Sequence, residues 1–512
     1  MKKIILFNPS PRGFKGEDRN FITPPLSLLA IISNIIDLKY EIILIDEIFE
    51  PETAYKSKLF PLKDEIFFVG ITSMTGHQIG NALRFAAFVR TVNKKIPIVW
   101  GGYHPSALPE QTLKDWRVDI VCIGQGQQTI RELILALENN SDLSVVKGIG
   151  FKRDNKIVIT ESRPIININE LPPMPYDKFE LQRYISKSDG GEPIAGYISS
   201  QGCPWACSFC AEINMTKRRW SGLSPKKVVD DWEFFNKKYG VTNITLYDSM
   251  FVANPTRVKD IAKEIKLRGL NISLGFINAR TDQISRFDDE FLKLLKEINC
   301  TTFLIGAEGG SDDVLRIVNK QATIEHTLLA KKRLSEYGFT PMFSFMLGLE
   351  FDIKKNKNEF NDLLDICEKI SSIDDNNIFN IWNYIPYVGA PLTDKAIEAG
   401  YVPPDSLESY SDFDLSITHV PWVDKKYNLW LEMLRNMIFP YTSAQFKDGG
   451  IWDKNYNGSH KSIKKVMHRL LRVICKLRLK YRFFYLPIDY HLFQKWQQIT
   501  KKGVLVGAQS NV

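Results

Sequence analysis

Two successive rounds of strand and helix patterning predict an α/β protein: an N-terminal doubly wound, Rossmann-like parallel sheet, then a partial (β/α)6 barrel, then a mainly helical C-terminal region. Three observations predict it. Short, wholly apolar runs alternate with amphipathic stretches from the first residues onward, a proline-rich segment interrupts them, and the alternation resumes in longer units from Ala195. Beyond about Ala390 the chain is rich in Tyr, Trp and Phe and carries few motifs.

The first round places predicted strands at Ile4 to Phe7, Glu41 to Ile45, Ile66 to Ile71, Ile98 to Trp100 and Ile120 to Ile123, with helical patterns such as Leu26 to Ile36 and Ile79 to Val92 between them. Strands apolar on both faces are buried on both, which calls for a parallel sheet under two layers of helix. Such sheets bind ligands beyond the carboxyl ends of their strands. Here those ends carry Asn8-Pro9-Ser10-Pro11, Thr72-Ser73-Met74-Thr75-Gly76, Gly101-Gly102-Tyr103-His104-Pro105 and Gly124-Gln125-Gly126-Gln127-Gln128-Thr129. Glycines at such ends let backbone amides approach a large polar ligand.

A hairpin-like piece, Gly150 to Ile159, then gives way to Leu171-Pro172-Pro173-Met174-Pro175-Tyr176, where three prolines forbid regular pairing. This reads as an interdomain strap that spaces two bodies. The expected division is therefore 1–145, a strap over 146–190, a barrel over 191–400 and a helical region over 401–512.

Predicted barrel strands are Ala195 to Ser200, Asn243 to Tyr247, Ile272 to Ile277, Thr302 to Ile305, Met342 to Leu347 and Ile378 to Ile385. Helical stretches separate them, among them Pro225 to Tyr239, with Ser224 as cap and Pro225 at the first position, and Thr256 to Arg268. Barrel chemistry occurs at the carboxyl ends of strands. After the first strand comes Ser200-Gln201-Gly202-Cys203-Pro204-Trp205-Ala206-Cys207-Ser208-Phe209-Cys210, a C-x3-C-x2-C spacing. Three thiolates on one short loop can hold three irons of a four-iron cluster and leave the fourth open to a substrate or cosubstrate. A zinc knuckle needs a further Cys or His within reach, and none is there. Three thiols cannot pair evenly as disulfides, and Cys122, Cys300, Cys367 and Cys475 are isolated, reading as buried apolar residues.

This loop resembles the radical S-adenosylmethionine family. The resemblance implies that Cys203, Cys207 and Cys210 ligate a four-iron, four-sulfur (4Fe-4S) cluster, that S-adenosylmethionine chelates the open iron, and that one electron cleaves it to a 5'-deoxyadenosyl radical. It implies a flavodoxin- or ferredoxin-like one-electron donor as partner. Phe209 matches the aromatic residue beside the adenine. Asp248, in Tyr247-Asp248-Ser249, stands where the family holds the methionine amino group, although the usual Gly-Gly-Glu form is absent. Arg280 is positioned for the cosubstrate carboxylate, and Glu308 for a ribose or methionine contact. Each of the three could instead be a structural ion pair or cap. Gly348-Leu349-Glu350 and Tyr384-Ile385-Pro386-Tyr387 end the last two strands, on the substrate side.

The N-terminal loops, taken in order, resemble the cobalamin-binding domain of cobalamin-dependent members of that family. On this resemblance Ser73, Gly101, Gly102, His104, Gly124, Gly126 and Thr129 flank the corrinoid and its nucleotide tail. Gln125 and Gln127 replace acids common in the last loop, and no Asp-x-His-x-x-Gly is present, so cobalt is expected to lack that histidine ligand. His77 and Met74 lie in the loop near the lower face, where a surface histidine is the plainer reading. The activity implied is methylation of an unactivated carbon of a small-molecule or lipid substrate. Ring formation, rearrangement or oxidation without methyl transfer is the alternative, and a non-catalytic cobalamin or iron–sulfur sensor is the alternative of another class. A radical methylthiotransferase carries three further cluster cysteines in its N-terminal domain, whereas only Cys122 precedes the loop here.

With 512 residues, 44% of them hydrophobic, the chain can bury two full cores and a smaller element. It has no long apolar span, and Met1-Lys2-Lys3 leads straight into a strand without a signal-peptide pattern, so a cytoplasmic location is expected. The net charge of +8 is concentrated between Lys461 and Arg482, where nine Lys or Arg stand with no Asp or Glu. There Ile463, Val466, Met467, Leu470, Leu471, Ile474 and Leu477 fall at helical spacing. Docking on the protein body is the ordinary reading of such a helix, with peripheral membrane contact through 461–482 as the alternative. Nucleic acid is not an expected partner.

Overall fold

In the computed structural model, which describes residues 1–11, 22–187, 191–414, 420–443 and 461–499 (461–468 and 497–499 by backbone alone), the N-terminal apolar runs form β1 (Lys3–Asn8), β2 (Glu41–Asp46), β3 (Ile66–Thr72), β4 (Ile98–Gly101) and β5 (Ile120–Cys122). They pair in parallel in the order β2-β1-β3-β4-β5, with β1 between β2 and β3. Alternate side chains supply two cores: Ile5, Phe7, Val69, Ile71 and Trp100 on one face, Ile4, Leu6, Phe68 and Val99 on the other. Helices such as Leu26–Ile35 and His77–Val92 cover these faces, as double-sided burial requires.

The hairpin expected within the strap extends this sheet. β6 (Ile149–Arg153) pairs antiparallel with β5, and β7 (Lys156–Ile159) with β6, giving seven strands. Asp154 and Asn155 between them both take left-handed backbone, the geometry of a two-residue hairpin turn.

The second unit is two sheets, not one continuous fan. β8 (Ser186–Lys187), β9 (Pro193–Tyr197), β12 (Asn243–Leu246) and β13 (Ser273–Leu274) form one, in the order β13-β12-β9-β8. β14 (Ile277–Arg280), β15 (Thr302–Glu308), β16 (Thr340–Leu347) and β17 (Ile378–Asn383) form the other, in sequence order and all parallel. The strand predicted over Ile272 to Ile277 breaks between Leu274 and Ile277, so its halves join different sheets. Gly275 lies at the break, where an added Cβ would press to 3.2 Å from Asn243 Oδ1. The strand predicted over Ala195 to Ser200 also divides: β9 ends at Tyr197, and Ser200–Gly202 becomes β10, paired antiparallel with β11 (Trp220–Gly222).

In the four-stranded sheet the odd residues of β16, Phe343, Phe345 and Leu347, are fully buried beneath helices, whereas Ser344 and Met346 are half-buried and face the barrel interior. The register carries that interior face across from Arg280 through Gly306 and Ser344 to Asn380, with Met346 opposite Trp382 one step higher.

The C-terminal region runs as helix Lys425–Met433, a π-helical turn Leu434–Ile438, and helices Phe439–Thr442, Lys461–Tyr481 and Ile488–Ile499. The basic helix forms as its periodicity predicts, but Ile463, Val466 and Met467 lie outside the described side chains. Of its expected stripe Leu471 packs on the core beside buried Cys475, whereas Leu470 and Leu477 are 60% and 48% exposed, and Arg478 bonds Asp489 Oδ2 at 2.8 Å. Among the described residues no helix is long and apolar enough to cross a membrane.

Candidate active site

The cysteine loop is held at its neck. Gly202 pairs with Trp220 across β10 and β11, its φ is +87°, and a Cβ there would collide with the Arg219 carbonyl. Only glycine meets both demands. Behind the neck, Asp248 is 2% exposed and accepts bonds from Ser199 N (2.7 Å), Ser199 Oγ (2.6 Å) and Ser200 Oγ (2.5 Å). Its carboxylate thus turns the chain from β9 into the loop, and burial raises its pKa. The neighbouring Asn278 donates to the Asp248 carbonyl at 3.1 Å while its Oδ1 is buried without a partner. A polar residue inside Ile277-Asn278-Ala279 was the available signal for this acceptor, and the motif reading passed over it.

Cys203, Cys207 and Cys210 are half-buried and free, whereas Cys122, Cys300, Cys367 and Cys475 are buried, as expected of apolar residues. Burial pushes the Cys210 thiol up to about 12, and raises Cys203 as well. Among the described residues no three Cys, His, Asp or Glu side chains converge as a cage for one metal ion. A single zinc needs all its sulfurs about 2.3 Å from one centre, whereas a cluster gives each thiolate its own iron.

Arg280 ties the loop to the barrel. Its Nη1 donates to Cys207 Sγ at 3.2 Å, its Nε donates to Asp282 Oδ1 at 2.9 Å, its Nη2 donates to the Lys320 carbonyl, and it lies 5.0 Å from the Trp205 ring centroid. Glu308 takes left-handed backbone at φ +66°, at a register slip between β15 and β16, and is paired with Lys320 at 2.7 Å. The Lys320 ammonium stands 6.0 Å from the Phe209 ring. Phe209, Arg280 and Glu308 therefore share one network around the loop, while Asp248 supports it from below.

At the first sheet, Ser73 Oγ is buried without a partner, and Gly102, at φ +105°, would bring a Cβ to 2.5 Å from the Ser73 carbonyl. Gly101 lies beside them, and Gly124, at φ +77°, has open space where a side chain would stand. An orphaned hydroxyl at Ser73 and open space at Gly124 fit a polar cofactor tail. Gly126 packs on Ile31 and Cys122, and the Thr129 hydroxyl, fully buried, accepts from Arg163 Nε at 2.8 Å. Those two shape the loop from behind. His104 is fully buried between Thr75 Oγ1 (3.1 Å) and Gln111 Oε1 (3.3 Å), and burial lowers its pKa to about 4. His77 lies 3.6 Å from Asp414, and Met74 is exposed.

The two loop sets meet. Tyr103, from the Gly-Gly loop, donates to Glu212 at 2.5 Å, two residues past Cys210. Gln125 donates to Gln201 Oε1 at 3.1 Å and bonds both backbone groups of Ile166 in the strap. The glutamine that departs from the expected acid is thus the joint between sheet, strap and cysteine loop.

The Radical SAM superfamily matches residues 197–365 and the B12 binding domain matches residues 18–134. An uncharacterized methyltransferase of Pyrococcus horikoshii is 29% identical over 68% of this chain and 74% of its own. An anaerobic magnesium-protoporphyrin IX monomethyl ester cyclase of Synechocystis is 25% identical over 85% of each. Among solved structures, the cobalamin-dependent S-adenosylmethionine radical enzyme OxsB, with aqua-cobalamin and S-adenosylmethionine bound, shares the fold at a TM-score of 0.70 and 18% identity, covering 98% of this chain and 75% of that one. The methyltransferase TsrM of Kitasatospora setae gives 0.60 and 18%, over 78% and 75%. With both domains in one chain and their loops bonded to each other, the protein belongs to the cobalamin-dependent radical S-adenosylmethionine enzymes, and its cofactors are a 4Fe-4S cluster, S-adenosylmethionine and cobalamin.

Proposed function

We propose that the enzyme methylates an unactivated carbon of a small-molecule or lipid substrate. The observation that carries this reading is the Tyr103–Glu212 bond, which joins the corrinoid-side loop to the segment just after the cysteine loop. A carbon activated at one cofactor must reach a methyl group at the other without meeting water. The Pyrococcus relative bears the name of a methyltransferase and the Synechocystis relative that of a cyclase. Both outcomes begin with hydrogen removal, and they part at the presence of a transferable methyl.

In this reading Cys203, Cys207 and Cys210 hold three irons, Ser73, Gly101, Gly102 and Gly124 receive the cobalamin tail, and Asn278 Oδ1 accepts from the methionine ammonium. When bound, these cofactors supply one-electron cleavage of S-adenosylmethionine and carriage of a methyl group. The chain itself positions and dries the site: Gly202 closes the loop's neck, Arg280 and Trp205 cover Cys207, and Gln125 fixes the strap. The pairing of the Asp154–Asn155 hairpin argues for ending the cobalamin-binding unit after Ile159.

The cluster needs an electron donor. Lys217, Arg218 and Arg219 are exposed, and Arg218 Nε reaches the Pro204 carbonyl inside the cysteine loop at 3.3 Å. This basic ridge suits an acidic flavodoxin- or ferredoxin-like partner. The exposed Leu470, Leu477, Tyr485, Ile488 and Leu492, among cations, favour peripheral contact with an anionic membrane in the cytoplasm.

Anaerobic reconstitution with iron, sulfide and hydroxocobalamin, followed by methyl-deuterated S-adenosylmethionine and an extract of cells lacking the gene, tests the reading. Methyl transfer predicts 5'-deoxyadenosine, S-adenosylhomocysteine and a deuterium-labelled product. 5'-Deoxyadenosine with an unlabelled, cyclised or oxidised product would favour the alternative chemistry.

A further inference from the structure

Arg435 is a partly buried cation. It sits in the π-helical turn Leu434–Ile438, where Leu434, Met437 and Ile438 are fully buried and anchor the turn. The inserted residue of such a turn changes the direction of the side chains around it, and such turns are frequent at functional sites. Here it lays the Arg435 guanidinium on the Trp382 ring, 4.8 Å from its centroid. Among the described residues the acceptor it engages is Asn436 Oδ1, from Nε, at 3.3 Å. A guanidinium has five N–H donors in a planar fork, so both Nη groups remain available. Among the described residues Arg435 closes no ion pair, and burial without a counter-charge lowers its pKa, with Glu432 and Tyr490 only partly opposing this. Asn436 is itself fixed, donating to Tyr490 OH at 3.1 Å.

The register places this fork. Trp382 lies opposite Met346, on the same face of β17 as Asn380, and Asn380 continues the row Arg280–Gly306–Ser344. Arg280 bonds Cys207, so that face is the one covered by the cysteine loop. Arg280 and Trp382 belong to strands three positions apart, about 14 Å along the sheet. Between them lie half-buried Ser344, Met346 and Asn380, a surface of mixed polarity and small-molecule length.

We propose that Arg435, braced by Trp382, is the anchor for an oxyanion of the substrate, a carboxylate or a phosphate taken by both Nη groups, with the substrate body lying along Asn380, Met346 and Ser344 toward the cysteine loop. This rests on the reading of that face as the active site and adds the chemical class of what enters it. The fork suits either oxyanion in bidentate fashion, and lysine would not replace it.

The test uses the full chain, reconstituted with cluster and cobalamin, and three probes sharing an aromatic body: phenylacetate, phenyl phosphate and neutral benzyl alcohol. Calorimetric titration is expected to show at least about tenfold tighter binding of one or both anions than of the alcohol. Whichever anion binds tighter names the source. Arg435→Gln is expected to abolish the difference, Arg435→Lys to restore only part of it, and both to keep the wild-type circular dichroism and cobalamin absorbance. Equal binding of anions and alcohol by the wild type would overturn the proposal. So would undiminished anion preference in Arg435→Gln, which would assign it to another basic surface. Either result could accompany intact 5'-deoxyadenosine formation and methyl transfer, and the proposed function would then stand without this anchor.

Discussion

Gly202→Ala tests whether the neck of the cysteine loop, as well as its thiols, is needed to hold a cluster. Two costs combine. At φ +87° an alanine pays the left-handed penalty of about 1 to 2 kcal/mol, and its Cβ overlaps the Arg219 carbonyl, which is backbone leading into the returning strand and cannot swing aside as a side chain could. Relief requires the Gly202–Trp220 pairing to open, so a total of about 3 kcal/mol is expected, concentrated on the loop that carries the thiols. Gly240→Ala is the control: its φ of +69° imposes the same backbone penalty, but nothing lies within 4 Å of the added methyl. The assay is iron and sulfide bound per chain after anaerobic reconstitution, beside the thermal midpoint. Gly202→Ala is predicted to lose most of its iron while Gly240→Ala keeps it at a slightly lowered midpoint. Equal iron in both variants would refute the account of the neck.

Removing Lys320 leaves Glu308 buried and unpaired, so Lys320→Met is expected to cost about 3 to 5 kcal/mol in denaturant titration, and the double change with Glu308→Gln markedly less. Tyr103→Phe removes the bond to Glu212 and is expected to lower methyl transfer more than 5'-deoxyadenosine formation, seen as more 5'-deoxyadenosine per methylated product; an unchanged ratio would detach the bridge from the coupling of the halves. His104 gives a pH dependence. Its folded pKa of about 4 lies below the ordinary 6.5, so the unfolded chain binds the extra proton and stability falls as pH drops through that window, by about 3 kcal/mol in all. His104→Gln should flatten the acid limb of stability against pH, and an unaltered limb would contradict the burial argument.

The chemistry-bearing loop was legible because its spacing is local: three thiols within eight residues state their purpose without the rest of the fold. The parallel strands were legible for a related reason, since double-sided burial writes itself as unbroken apolar runs. What depended on distant partners was not legible. Asp248 reads as a ligand contact in the chain but is spent on Ser199 and Ser200, from a strand nearly fifty residues earlier. The break between Leu274 and Ile277 hides inside an apolar run, because each half finds a different neighbour. Gln125 looked like a departure from a family pattern, and its role emerged only with Ile166 and Gln201 beside it. The buried pair of Arg478 with Asp489 on the basic helix is one that a hydrophobic stripe cannot reveal.

The most direct measurement is the electron paramagnetic resonance of the reduced, reconstituted enzyme before and after adding S-adenosylmethionine labelled with nitrogen-15 at its amino group. The account predicts a 4Fe-4S signal that shifts on addition and acquires coupling to the label, because one iron accepts the cosubstrate directly. A cluster whose signal is indifferent to S-adenosylmethionine, or a metal centre saturated by four side chains, would contradict it.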